Sequence, residues 1–345
     1  MTEESLPSTM RIWKYASAKG GIEKHLSLHT SHSLPTPKLD KHLVQVLAVG
    51  LNPVDYKPAE AFIGTLAVKK PATPGFDFAG RIITAASGST LKPGQLVFGA
   101  ASTNAVAAGG LAEYIAAPDK IIAAIPSGLS PLTAAGVPVA AVTAYGSLVS
   151  HVKTGSRVFL NGGSGGVGTY GIQIAKVLGA HVTVSCSGRN ADLCRSLGAD
   201  EVLDYTARPL LEQLQQAAKT SGPFDHVVDN VFSDPALYYQ AHTYTTPTTH
   251  FMEVASAPSL AFLRFAFGAQ MLPGFLGGGR RKFVVFLSDV NRENIEKIGS
   301  WIAEGKVKPV TDQVFPMTEA VEAFKRLKTG RVVGKVIIDV AEEGK

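Results

Sequence analysis

Apolar and polar positions change their rhythm partway along this chain. Up to about residue 125 the apolar residues come in short runs, broken by Gly and Pro. Residues 10–30 alternate loosely and predict a first hairpin. Leu34-Pro-Thr-Pro37 predicts an extended connector, because a residue before proline is held out of the helical region. Leu43-Val-Gln-Val-Leu-Ala-Val49 reads as a strand and Ile82-Ile83 ends another. Lys92-Pro-Gly-Gln95 turns into Leu96-Val-Phe98, and Gly110-Leu-Ala-Glu-Tyr-Ile115 and Ile121-Ile122 add two more strands. Short strands between such turns predict a small, strongly coiled β domain. Ser130-Pro131 then signals a helix start, and Ala-rich helical sequence runs to about Val149 with a break near Pro138.

From Arg157 strands and helices alternate. Strands are expected at residues 158–160, 181–185, 202–203, 226–229, 250–254 and 283–287. Helices are expected at 190–197, at 209–219 and after Asp234-Pro235. This order predicts an α/β class fold, a doubly wound Rossmann domain with a six-stranded parallel sheet. Beyond Asp289 come a helix to about Glu304, an extended segment at 306–314, a helix capped by Thr318 and a strand at 332–338. They fall outside the nucleotide sheet. The expected division is therefore 1–138 together with 289–345 as one domain, and 139–288 as the other.

The junction of the first Rossmann strand carries Gly163, Gly165 and Gly168 in the spacing Gly-x-Gly-x-x-Gly. A turn needing positive φ, a diphosphate approaching bare backbone and a helix packed close to its strand all favour glycine. Strand before and helix after supply the context that the motif requires. Gly163, Ser164, Gly165, Gly166 and Val167 are accordingly expected at the diphosphate of a nucleotide cofactor. An NAD site places Asp or Glu at the end of the second strand for the ribose 2′-hydroxyl. Here that strand runs into Ser185-Cys-Ser-Gly-Arg189, with no acid before Asp192. An Arg fork suits a 2′-phosphate, so NADPH is the expected cofactor.

Composition narrows the setting. The chain has 345 residues, 45% of them hydrophobic and 18% charged, enough for two domains with sizeable cores. Its two cysteines, Cys186 and Cys194, build neither a disulfide framework nor a Cys-based metal site, which points to a reducing, cytoplasmic compartment. The acidic start Met-Thr-Glu-Glu-Ser lacks the features of a signal peptide. No apolar run reaches the roughly 18 residues of a membrane span. A net charge of +5, spread over this length, fits an anionic small ligand better than a nucleic acid.

Several stretches together resemble the zinc-free quinone oxidoreductases of the medium-chain dehydrogenase/reductase superfamily. They are Asn52-Pro-Val-Asp-Tyr-Lys57, Pro74-Gly-Phe-Asp-Phe-Ala-Gly80, Gly110-Leu-Ala-Glu-Tyr114, Ala134-Ala-Gly-Val-Pro138, Thr143-Ala144, the glycine turn, Leu197-Gly-Ala-Asp-Glu-Val202 and Val333-Gly-Lys-Val336. They span about residues 40 to 338 in family order. Within the family the chain looks most like the quinone- and enone-reducing branch that includes a chloroplast-envelope quinone oxidoreductase. The resemblance implies a GroES-like β domain plus a Rossmann domain, with the cofactor in the cleft between them. It places Ser187, Arg189, Asn190 and Tyr205 around the 2′-phosphate. It also puts Thr143, Asn230, Val285 and Lys335 near the rest of the cofactor. Relatives dimerise through the edge strand, here near 283–287, so monomer and homodimer both stay open.

The resemblance also implies what is missing. The first Cys ligand of the zinc enzymes falls near Asn52-Pro-Val-Asp55, and their His-Glu pair is replaced by Phe76-Asp77. The stretch near 99–110, where relatives carry a four-Cys lobe, is rich in Ala and Gly. No metal is expected. Without a Lewis acid, alcohol oxidation is hard, whereas a quinone or an α,β-unsaturated carbonyl accepts hydride directly at carbon. Asn52, Tyr56 and Lys57 are the catalytic candidates, with Tyr56 or Lys57 bonding or protonating the substrate oxygen. The expected function is NADPH-dependent hydride transfer to a quinone or enone. Two rivals are a dedicated enoyl reductase of a biosynthetic pathway and a non-catalytic NADPH-binding or RNA-binding protein. Residues 259–282, apolar and aromatic and then basic at Arg280-Arg-Lys282, leave three readings open: a lid on an apolar substrate, a packed helix, or a peripheral membrane contact.

Overall fold

A computed structural model describes residues 6–61, 68–103, 109–254, 259–272 and 278–341. The chain falls into two compact units. The first comprises Met1–Val139, Val290–Glu304 and Pro309–Lys345; the second comprises Ala140–Asp289 and Gly305–Lys308.

The first unit opens with an antiparallel hairpin, β1 (Thr9–Tyr15) and β2 (Leu26–Ser33), as the loose alternation predicts. The long strand β3 (Lys41–Gly50) follows, with β4 (Asp77–Thr84), β5 (Leu96–Ala100), β6 (Tyr114–Pro118) and β7 (Ile122–Ala124). Register shifts in β3, between Leu43 and Val44 and between Val46 and Ala48, bend the sheet. The strand expected from Gly110 starts only at Tyr114. The Gly110 and Leu111 amides are committed to Gly75 O (2.8 Å) and Pro74 O (2.9 Å), outside the ladder. The Ala-rich helix divides as expected. Pro131–Ala134 forms one turn capped by Ser130, whose Oγ accepts from the Thr133 amide at 3.2 Å. Helix α1 (Pro138–Leu148), which passes into the second unit at Ala140, restarts at a proline, which lacks the amide a continuous helix would need.

The second unit is β8 (Arg157–Asn161), α2 (Gly166–Val177), β9 (His181–Cys186), α3 (Ala191–Ser196), β10 (Glu201–Asp204), α4 (Leu210–Ser221), β11 (Phe224–Asp229), β12 (Thr245–Glu253), α5 (Leu260–Met271) and β13 (Lys282–Val285). The six strands are all parallel, in the order β10-β9-β8-β11-β12-β13. The order reverses at β8, which marks the switch point of a doubly wound sheet. Val158, Phe159 and Leu160 of β8 are buried, as a strand covered on both faces requires. The helix after Asp234 is a single turn, Ala236–Tyr239, with Asp234 Oδ1 accepting from the Ala236 amide at 2.8 Å.

The chain then re-enters the first unit through α6 (Arg292–Ala303), β14 (Thr311–Pro316), α7 (Ala320–Lys328) and β15 (Lys335–Asp339). β15 pairs antiparallel with β3 and parallel with β14, completing the sheet β14-β15-β3-β4-β5-β7 with β6 also on β3. Thr318 does not cap α7. It lies inside a short turn, Met317–Glu319, that precedes it. Arg292 ties α6 to its own unit by donating to Ile122 O (2.9 Å) and Asp119 Oδ1 (2.6 Å).

Candidate active site

The glycine turn forms where β8 ends. The Gly162 amide donates to Ser185 Oγ at 3.0 Å and the Gly163 amide to Ser185 O at 2.8 Å, so β9 holds the turn. The positive φ falls on Gly162 (81°), one residue before the motif, and on none of Gly163, Gly165 and Gly168. Each motif glycine answers a spatial need instead. A Cβ on Gly168 would lie 2.1 Å from Gly162 O, so only hydrogen lets α2 start this close to the strand. A Cβ on Gly165 would meet nothing nearer than Gly162 O at 3.6 Å, which leaves that side of the turn bare. The first-turn amides of α2, Gly166 and Val167 among them, face outward with no carbonyl of their own helix to bond.

The turns after β9 and β10 are stitched to this one. Gly188–Asn190 is a short helical turn, with Arg189 exposed. Asn190 Nδ2 donates to Ser164 Oγ at 3.0 Å. The Tyr205 amide donates to Cys186 O at 3.3 Å, and the Tyr205 side chain is exposed. So Ser164 of the glycine turn and the Ser187, Arg189, Asn190 and Tyr205 that the resemblance implied lie on adjoining loops at the carboxyl ends of the strands. Asp204 was not among them. It ends β10, and its Oδ1 accepts from the Thr206 hydroxyl (2.6 Å) and amide (2.8 Å). These bonds, the hydroxyl first, hold its carboxyl below the usual range. Its one sequence signal is being the acid that follows Leu203.

At the same edge Asn230 Nδ2 donates to Asn161 O at 3.0 Å, while its buried Oδ1 has no partner among the described residues. Asp229 accepts from Asn161 Nδ2 (2.7 Å) and from the Val231 and Phe232 amides (2.9 Å each). Burial raises its pKa. Val285, half-buried, ends β13 on this edge, and Thr143 is buried in α1. A bare glycine turn, an unpartnered amide oxygen and an exposed Arg189 fit a nicotinamide nucleotide across the strand ends.

The first unit holds a buried polar cluster. After β3 the chain makes a turn at Pro53–Asp55, closed by the Asn52 amide donating to Asp55 Oδ2 at 2.7 Å. Asn52 Nδ2 donates to Asp77 Oδ2 (2.8 Å) and to Gly50 O (3.2 Å). Lys335 Nζ donates to Leu51 O (2.9 Å) and to Asn52 Oδ1, and lies 3.7 Å from Asp77 Oδ2. Asp77 also accepts from the Val139 amide at 3.1 Å. All four side chains are buried. Lys335, expected at the cofactor, therefore turns its ammonium into the interior of its own unit. Asn52, expected in catalysis, has both ends of its amide committed to the cluster. Tyr56 is half-buried, with the Lys328 ammonium 5.0 Å from the centre of its ring, and Lys57 opens a short helix, Lys57–Glu60.

Burial pushes the Asp55 carboxyl up to about 7 and the Asp77 carboxyl up to about 6, and it pulls the Lys335 ammonium down. Both carboxyls hold a proton more tightly folded than unfolded, where the value is 3.8. Between these limits the folded chain binds the extra protons, so their contribution to stability declines as pH rises from about 4 to about 7. Asp55→Asn keeps an acceptor for the Asn52 amide and removes one of the two titrations. Urea unfolding across this range should show a shallower fall in stability than wild type. A difference that does not change with pH would mean Asp55 is not protonated in the fold.

This cluster does not fit a catalytic zinc. The ligand positions fall near Asn52–Asp55 and at Phe76 and Asp77, and Asn52 and Asp77 already surround an ammonium that would repel a dication. Residues 104–108, in the stretch of the four-Cys lobe, lie outside the described residues, as do 273–277 of the apolar segment. In that segment α5 packs Phe262, Ala266 and Ala269 inward, while Leu260, Leu263, Phe267 and Met271 stay exposed.

Fold and site together define an oxidoreductase that uses a nicotinamide nucleotide, built from a GroES-like and a Rossmann unit. The model described as alcohol dehydrogenase GroES-like domain matches residues 38–127, and that described as zinc-binding dehydrogenase matches 197–338. The chain is 44% identical to trans-enoyl reductase pgmF of Aspergillus terreus, over 98% of each chain. It is 33% identical to the chloroplastic NADPH-dependent alkenal/one oxidoreductase of Arabidopsis thaliana, over 97% of this chain and 81% of that one. The solved quinone oxidoreductase of Coxiella burnetii superposes with a TM-score of 0.82 at 29% identity, covering 96% and 99% of the two chains. The chain belongs to the zinc-free quinone and enone oxidoreductases of the medium-chain dehydrogenase/reductase superfamily. Among the described residues no helix is long and apolar enough to cross a membrane.

Proposed function

We propose that the protein reduces a conjugated C=C bond or a quinone with NADPH, without a metal. The observation that carries this is the pair of turns after β9 and β10. Arg189 stands exposed where an NAD enzyme has an acid, and Asn190 ties its loop to the glycine turn through Ser164. NADPH supplies the hydride when bound. A carbon conjugated to a carbonyl accepts it without Lewis-acid help, and the charge develops on the carbonyl oxygen. Lys57, with Tyr56 beside it, is the group to stabilise that oxygen and return a proton. The Asn52–Asp55 turn fixes where this pair emerges.

A specific observation favours the narrower reading, a dedicated enoyl reductase: the 44% identity to a trans-enoyl reductase runs over 98% of both chains. The RNA-binding reading loses ground in the fold. Arg281 donates to Thr245 Oγ1 (2.9 Å) and Thr245 O (3.0 Å), which takes the middle cation out of the basic run Arg280-Arg-Lys282. The test is oxidation of NADPH and NADH, side by side, with quinones, enones and 2-enoyl compounds, in the presence of a chelator. Turnover should favour NADPH by at least about tenfold, one good charge-assisted contact, and be indifferent to chelator. A preference for NADH would overturn the cofactor assignment. Loss of turnover with chelator would overturn the metal-independent chemistry.

A further inference from the structure

We propose that Asp204 is a positioning residue for recognition of the cofactor's 2′-phosphate, an inference that rests on the NADPH reading above. A carboxylate next to a phosphate site should oppose binding through like charge. Here its geometry gives it another task. Asp204 ends β10 beside Cys186, the last residue of β9, so it stands between the loops that carry Arg189 and Tyr205. One oxygen, Oδ1, is engaged by the Thr206 amide and hydroxyl on its own loop. The other, Oδ2, lies 2.4 Å from where a Cβ on Gly188 would be, so residue 188 is a glycine under a carboxylate that reaches across to it. The backbone of Gly188 is among the groups that favour the ionised form of this carboxyl.

Asp204 thus clamps the turn Gly188–Asn190 to the loop after β10. The Asn190–Ser164 bond clamps the same turn to the glycine loop. With both ends held, Arg189 projects from a fixed base, and less order has to be imposed when a phosphate binds. The carboxylate contributes by aiming the Arg, and this outweighs its repulsion of the phosphate. A hydroxyl in place of the phosphate asks nothing of Arg189, so NADH binding should not depend on the clamp.

The test is binding of NADPH and of NADH, by nucleotide fluorescence, to wild type, Asp204→Ala, Gly188→Ala and Arg189→Ala. Asp204→Ala removes the clamp, and Gly188→Ala pushes it off with the charge left in place. Both should weaken NADPH about tenfold, the value of one charge-assisted contact between Arg189 and the phosphate, and leave NADH within about twofold. Arg189→Ala should lose the same selectivity, and Asp204→Ala added to it should change little further. NADH binding also reports that each variant is folded. Tighter or unchanged NADPH binding by Asp204→Ala would make the carboxylate only a like charge, and the inference fails. Equal losses for both nucleotides would make it only a structural contact, and it fails again. A wild type that binds NADH better overturns the NADPH reading and takes this inference with it.

Discussion

Lys335→Met should lower stability by about 3–5 kcal/mol and remove most turnover, while a fraction that remains folded still binds the nucleotide. The stability figure is that of a buried ion pair broken from one side. Among the described residues Lys335 carries the one cation set among Asp55, Asp77 and Asn52, and its ammonium donates to Leu51 O and Asn52 Oδ1. Without it, two buried carboxyls have no counter-charge, Asn52 Oδ1 loses its donor, and the Asn52–Asp55 turn has lost its anchor to β15. That turn leads directly into Tyr56 and Lys57. Turnover should therefore fall through kcat rather than through nucleotide affinity. Lys335→Met with Asp77→Asn should recover part of the stability, because one of the two uncompensated carboxyls goes with the cation. It should not recover turnover, since the turn is still unanchored. Weakened nucleotide binding with intact stability would return Lys335 to the cofactor.

Along the chain Asn52 and Lys335 carry different expected roles, and the fold places them in hydrogen-bond contact across more than 280 positions of chain. This difference is instructive. What repeats locally was legible: strand and helix rhythm, the glycine turn and the absence of an acid before Asp192. Side-chain direction was not. Nothing in Val333-Gly-Lys-Val336 says which face of β15 the Lys takes; pairing with β3 decides it. Asp204 was missed for a similar reason. An acid after a third strand means little until parallel pairing sets it beside Cys186. The misplaced strand start at Gly110 was a matter of competition. Its apolar residues suit a sheet, but the Gly110 and Leu111 amides bond to the Gly75 and Pro74 carbonyls instead of a ladder partner. Tertiary partners, which no window of sequence contains, settled all three.

The glycine turn lets structure and ligand be separated by experiment. Gly168→Ala puts a Cβ 2.1 Å from Gly162 O and 2.8 Å from Gly163 C. Both are backbone atoms, so no side chain can swing away. The start of α2 must move from β8, at a cost of about 3 kcal/mol, the upper part of the range for overpacking. The first-turn amides move with it, and nucleotide binding should be lost as well. Gly165→Ala is the contrasting case. Its backbone, φ −79° and ψ 178°, suits any residue, and its Cβ would touch only Gly162 O at an ordinary 3.6 Å. Melting temperature should stay within about 1 °C of wild type or rise slightly, as for a Gly→Ala change at a compatible site. Nucleotide affinity should fall at least about tenfold, because the methyl group occupies the bare side where a diphosphate meets the backbone. The two substitutions are three residues apart and chemically identical. If Gly165→Ala binds the nucleotide like wild type, the diphosphate does not lie against this turn. If Gly168→Ala melts like wild type, the close approach of α2 to the strand is not what that glycine serves.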